Sequence, residues 1–422
     1  MFPGNRFLAN VMTLGSGTVA GQLCVVLATP LLTRLFDPGD MGIFGLFLSF
    51  IGFVCVGTGL RYEMAIVSAE GDREADCLLM VSILLTVPLS ILSGLLLLVM
   101  IRYDLLSFGS LPPWSVSLVI VTLVGTGFFM SLRYWFVRHA DFTIISRSLV
   151  AQGIGRAVLP VIMGWAQMGW VGLLVGETGG RLLGVVRMSH RAWPAIRKTL
   201  RPFDRRYFSA TMKRHWKFPA VVLPSSLIDA LAASLPLPVI SSLFGTASAG
   251  LFLLVMRIAT LPAGLISASV ADVYHGRLSE AYRTNPSQSH KIMIDTAKKL
   301  GMTGLCIYLP IALLSPFFFE FLFGAQWSQA GLLTTILSPL PLVGLIVSPL
   351  SRVLLVANRQ EIKLLADVVC LVFPVFALYM TSQMGWSFWS CMLTFSGIQV
   401  LAYVFYFGLI WFVSRESAAE TA

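Results

Sequence analysis

The feature that most constrains this chain is the recurrence of apolar runs long enough to cross a bilayer. From Leu8 to Val413 they follow one another with only short polar interruptions, leaving no stretch for a separate soluble domain. About 20 apolar residues suffice for one helical crossing. Hydrophobic residues make up 56% of the chain and charged ones 12%, with a mean hydropathy of +0.82. Soluble domains hold roughly half and a quarter, so a soluble interior is too small to bury this sequence. The first run lacks the basic flank and cleavage site of a signal peptide and is read as a mature helix.

The expected fold is all-α and integral to the membrane, with twelve transmembrane helices. The spans are 8–36, 41–68, 77–101, 113–137, 147–168, 169–188, 217–243, 249–272, 299–322, 329–353, 363–382 and 387–413. They group as an N-lobe at 1–190 and a C-lobe at 217–422, joined by a basic cytoplasmic linker at 191–216. If the N-terminus is cytoplasmic, the inner loops hold Arg73, Arg138, the dense cluster from Arg187 to Lys217, Arg277, Lys298, Arg359 and Lys363. The outer loops hold only Arg34 and Arg102. Lys/Arg bias in short loops sets orientation, so both termini are expected in the cytoplasm. This asymmetry also accounts for the net charge of +10 without a nucleic-acid partner. The basic cluster anchors topology and suits anionic lipid headgroups.

The cysteines Cys24, Cys55, Cys77, Cys306, Cys370 and Cys391 fall in apolar runs, where a thiol behaves as a small hydrophobe. The five histidines lie in or beside polar loops. Neither pattern has metal-ligand or disulfide spacing, and no metal or cofactor is expected. Pro88, Pro160, Pro262, Pro310 and Pro374 lie within spans, and such helices line a buried or wet interior. Gly17 and Gly21 have the GxxxG spacing that permits close helix approach.

An internal repeat is visible. Leu35-Phe36, followed by Gly42, matches Leu243-Phe244, followed by Gly250, at the same spacing, and Arg73-Glu74-Ala75 parallels Ser279-Glu280-Ala281 at a similar offset. Two similar halves in the same orientation follow, and parallel repeats place a transport site between lobes.

These same segments carry a resemblance. Leu32 to Gly42, Leu60-Arg-Tyr-Glu-Met-Ala-Ile66, Phe244 to Phe252, Met256-Arg-Ile-Ala-Thr-Leu-Pro262, Phe323 to Gly331 and Ser348 to Val353 are similar to segments of the polysaccharide biosynthesis proteins. Those are the Wzx-type oligosaccharide flippases of the multidrug/oligosaccharidyl-lipid/polysaccharide exporter superfamily. The resemblance implies a V-shaped pair of six-helix lobes that carries an undecaprenyl-pyrophosphate-linked sugar unit across the bacterial inner membrane by alternating access. It also implies a polymerase and glycosyltransferases of the same pathway as partners.

Ionisable residues inside a membrane are costly and default to function. Arg61, Arg156, Arg181 and Arg257 lie deep in their spans and are the candidate substrate-binding residues. A guanidinium offers a phosphate or acidic sugar a fork of parallel donors. Glu177 and Arg181 are i,i+4 in the favourable order, which equally permits a packing ion pair. Glu63, Glu177 and Asp229 are the ion-coupling candidates. Arg61 and Glu63, two apart, do not share a helical face, so each is expected to pair elsewhere or one of them to face water. Asp272, Glu320 and Asp367, nearer span ends, are expected to be solvated.

Rival readings are a cation-coupled multidrug exporter of the same superfamily and a membrane polysaccharide polymerase. The first calls for an acidic, aromatic cavity, whereas the mid-membrane charge here favours arginine. The second calls for a large external loop, and outer loops such as Gly245 to Ser248 are short. Gly176-Glu-Thr-Gly-Gly180 lacks the P-loop lysine and serine and lies in an apolar run, so an enzyme is not expected.

Overall fold

The computed structural model describes residues 4–199, 205–284, 287–357 and 359–419. Arg201 and Asp204 of the basic segment lie outside the described residues, as do the side chains of Lys198, Arg205, Asp272, His275, Glu280 and Arg283. Every regular element among the described residues is helical.

The chain forms two compact units, Met1–Gly250 and Leu251–Ala422. The first contains α1 (Gly4–Leu27), α2 (Thr29–Leu35), α3 (Pro38–Val54), α4 (Tyr62–Ser68), α5 (Asp72–Arg102), α6 (Ser115–Arg138), α7 (Phe142–Trp165), α8 (Gly169–Thr199), α9 (Arg205–Arg214), α10 (Leu223–Ser234) and the start of α11 (Pro236–Thr284). Within α11 the path breaks at Gly245, whose φ of 85° suits glycine. The second unit holds the rest of α11 with α12 (Ser287–Phe323), α13 (Ser328–Leu337), α14 (Pro339–Leu350), α15 (Arg352–Val356), α16 (Gln360–Gln383) and α17 (Phe388–Ala419).

Among the described residues, nine helices are long and apolar enough to cross a membrane, or ten when the pair bent by 45° at Ser338 counts as one span. The twelve expected spans depart from this count at two further places. Phe218–Ser267 is a single stretch that contains two of them. The other is α8, whose apolar content is diluted by Glu177, Arg181 and its glycines. The basic 191–216 segment is mostly helical where described, because α8 continues to Thr199 and α9 follows. Apolar side chains cover the outside of α12, where Phe317 and Phe321 are 78% and 77% exposed, a surface suited to lipid.

Small residues set the helix distances in the first unit. A Cβ on Gly17 would overlap Ser146, and one on Gly153 would overlap the Gly21 backbone, so α1 docks closely on α7. Along α8, Gly176, Gly180 and Gly184 recur every four residues. A Cβ at Gly176 would stand 2.6 Å from Pro160 N and one at Gly184 2.7 Å from Ser148 O, while one at Gly180 would overlap the Arg156 backbone. Bare backbone thus lies against bare backbone between α7 and α8. The repeat is also seen in space. A Cβ on Gly42 would overlap the Thr246 carbonyl, and one on Gly250 would overlap that of Pro38. The shift that takes Leu35 to Leu243 takes Pro38 to Thr246 and Gly42 to Gly250, so exchanging the repeats turns one contact into the other.

Candidate functional site

The glycine seam between α7 and α8 positions the main charge cluster. Glu177, 1% exposed, lies on the face that carries Gly176 and Gly180. Arg181, one turn later on α8, donates from Nε to Glu177 Oε1 at 2.7 Å. Arg156 reaches from α7 and donates from Nε to the same oxygen at 2.8 Å. The arginine side chains keep 25% and 22% of their surface exposed. Two guanidinium groups on one carboxylate leave one positive charge in excess. Such charge-assisted bonds are short and directional, so they hold both guanidinium planes in place. Gln152, one turn before Arg156, donates to the Arg181 carbonyl at 2.9 Å.

A second cluster lies where the second span is interrupted. Between α3 and α4 the chain passes through a 3-10 turn at Cys55–Gly57 and a turn in which Leu60 and Arg61 are left-handed, with φ of 50° and 63°. Non-helical backbone at membrane depth is tolerated where it is buried in protein or lines a wet cavity. Arg61 Nη1 stands 3.7 Å from Glu63 Oε1. The expectation that these two pair elsewhere is therefore corrected: it assumed a continuous helix, and Arg61 stands outside α4 in the left-handed turn. The pair is incomplete, since Arg61 Nε and Glu63 Oε2 are buried without a hydrogen-bond partner. Gly59 leaves the space that Oε2 occupies, because a Cβ there would stand 2.5 Å from it. Cys55, half buried, is within electrostatic reach of Arg181, Arg61 and Glu63, so both clusters border the same region of the first unit.

The remaining candidates stand on other elements. Asp229 is exposed on α10. Arg257 is half buried on α11 in the second unit. Asp367 is not solvated as expected: its side chain is 12% exposed, Lys363 donates to it at 2.5 Å, and Tyr406 shares a hydrogen bond with it. α16 begins before the span that the hydropathy suggested, and α17 covers this turn. Gln152 and Cys55 were missed as site neighbours because neither is charged. The Gly57-Thr-Gly59 sequence was the available signal for the break.

A family model described as polysaccharide biosynthesis protein matches residues 31–331. The teichuronic acid biosynthesis protein TuaB of Bacillus subtilis (strain 168) is 24% identical over 196 residues, which are 46% of this chain and 40% of that protein, so the match spans less than half of the relative. Among solved structures, an inward-facing multidrug resistance MATE family transporter of the MOP superfamily superposes with a TM-score of 0.73 at 18% identity, covering 94% of this chain and 95% of that one. A MOP superfamily transporter from Pyrococcus furiosus, described as having a binding pocket of reverse polarity, gives 0.63 at 16% identity, covering 97% and 95%. A Vibrio cholerae MATE transporter gives 0.64 at 14%, covering 99% and 97%. Identities this low show the fold alone. With most of its length matched by the family model, the chain belongs to the polysaccharide biosynthesis protein family, a multi-pass membrane protein with the helical fold of MOP superfamily transporters.

Proposed function

We propose that this protein is a flippase that moves an undecaprenyl-pyrophosphate-linked oligosaccharide across the bacterial inner membrane by alternating access, for surface polysaccharide synthesis. The observation that carries this reading is the Arg156–Glu177–Arg181 cluster, whose excess positive charge beside the interrupted second span suits an anionic headgroup or acidic sugar. A cationic drug would be repelled by the same charge, which disfavours the multidrug reading. In this reading Arg61, Arg156, Arg181 and Arg257 bind the anionic part of the substrate, and both termini are cytoplasmic. Membrane lipids surround the protein, and a polymerase and glycosyltransferases of the same pathway are its partners.

Glu177 is locked between two donors and serves as their counter-ion. Among the coupling candidates, Glu63 and Asp229 are therefore the carboxylates left to bind and release an ion. A substrate phosphate competing for Arg61 frees Glu63 to take up a proton, which links substrate to ion. The experiment is flipping of a fluorescent undecaprenyl-pyrophosphate-linked oligosaccharide in reconstituted vesicles. Arg156→Ala, Arg181→Ala and Arg61→Ala should abolish it at unchanged protein abundance, and the Lys variants, which keep charge but lose the fork, should be partly active. Normal flipping by all three Ala variants sinks the reading.

A further inference from the structure

Arg61 stands at one end of a short strut. α4 has seven residues, about 10 Å at 1.5 Å per residue, between the left-handed Arg61 and the corner at Glu70 and Gly71 that opens α5. The far end is held from α6, where Arg138 donates from Nη1 to the carbonyls of Ala69 at 2.7 Å and Ile66 at 3.3 Å. Those are groups that a helix C-terminus leaves without intrahelical partners.

The rest of the strut is held by α9. Tyr62, the residue after Arg61 and 4% exposed, donates its hydroxyl to the Met212 carbonyl at 3.3 Å. At the corner, Glu74 Oε1 faces His215 Nε2 at 3.1 Å and Arg214 Nη1 at 3.4 Å, while Glu74 Oε2 accepts from Glu70 N at 2.8 Å. Glu70 pairs in turn with Arg214, and the Arg73 guanidinium lies 4.5 Å from the centre of the Tyr207 ring.

Arg61 does little to hold itself. Its ion pair is long at 3.7 Å, its Nε is unpartnered, and its left-handed backbone is one that non-glycine residues keep only where the surroundings impose it. We infer that α9 is a clamp that positions Arg61: through Tyr62 and the Glu74 corner it fixes α4, and α4 fixes where the guanidinium stands in the site. Tyr62, Glu74 and Arg214 are thus positioning residues. The inference rests on the proposed role of Arg61 only for its consequence in transport, since the position itself is measurable without substrate.

The test uses the full-length protein with Cys55 as its sole cysteine. Its thiol is modified by an anionic sulfonatoethyl and by a cationic trimethylammonioethyl methanethiosulfonate, and the ratio of the two rates reports the charge beside it. Arg61→Gln should lower the anionic preference. Tyr62→Phe, which changes no charge, and Arg214→Gln should each lower it too, by up to about fivefold for one lost hydrogen bond. Neither should lower it further in the Arg61→Gln background, because residues acting through one group are not additive. A ratio unmoved by Arg61→Gln, unmoved by both clamp variants, or lowered equally by them with and without Arg61 overturns the inference. If flipping survives Arg61→Ala, the transport role of Arg61 fails, while the thiol ratio still decides whether α9 positions it.

Discussion

Replacing Glu177 by glutamine keeps the shape of the cluster and removes its only negative charge. The Nε atoms of Arg156 and Arg181 both bond Oε1, at 2.8 and 2.7 Å, so they lie within about 5.5 Å of each other, the sum of the two bonds. Two unit charges at that separation repel by about 3 kcal/mol at an effective dielectric constant of 20. Breaking a buried ion pair by removing one partner typically costs about 3–5 kcal/mol, the same scale. For a unit the size of Met1–Gly250, about 3 kcal/mol corresponds to a fall of roughly 6–12 °C in the melting midpoint. The assay is thermal unfolding of detergent-solubilised protein followed by fluorescence-detected size exclusion. Adding Arg156→Gln to Glu177→Gln removes the repulsion and should restore most of the midpoint, while flipping stays lost. A Glu177→Gln midpoint within about 1 °C of the parent, or a double variant no more stable than the single, refutes the view that Glu177 is a structural counter-ion.

Gly42→Ala and Gly250→Ala place a Cβ onto the carbonyls of Thr246 and Pro38 and should sharply reduce membrane abundance, whereas Gly15→Ala, which meets nothing within 4 Å, should not; immunoblots of membrane fractions read the difference. In a cysteine-free background, Ala247→Cys should react with an impermeant maleimide from outside the cell and Ser209→Cys only after lysis, and the reverse pattern overturns the orientation. Gly59→Ala should displace the Glu63 carboxylate, whose Oε2 lies 2.5 Å from the new Cβ, and reduce flipping several-fold at normal abundance. Flipping in vesicles should respond to an imposed proton or sodium gradient and lose that response in the Asp229→Asn/Glu63→Gln double variant; indifference to both gradients ends the coupling proposal.

Much of this protein is legible in its sequence because the bilayer imposes local rules. Run length and the scarcity of charge specify transmembrane helices, and the spacing of Leu35-Phe36-Gly42 and Leu243-Phe244-Gly250 reveals the repeat. The Glu177–Arg181 pair is equally local, since one helical turn brings i and i+4 together. What the tertiary structure decided is which distant charges meet. Arg156 reaches Glu177 only because glycines every four residues on α8 let α7 approach, and helix rotation about that seam is not written in either helix alone. Arg61 meets Glu63 because the second span breaks into a left-handed turn, where helical periodicity no longer predicts facing. Asp367 pairs with Lys363 locally, at i,i+4 on α16, but meets Tyr406 only because α17 packs against α16 there. Hydropathy reports how deep a residue lies, but the direction it faces depends on backbone breaks and interhelical packing, which arise only when the chain has folded.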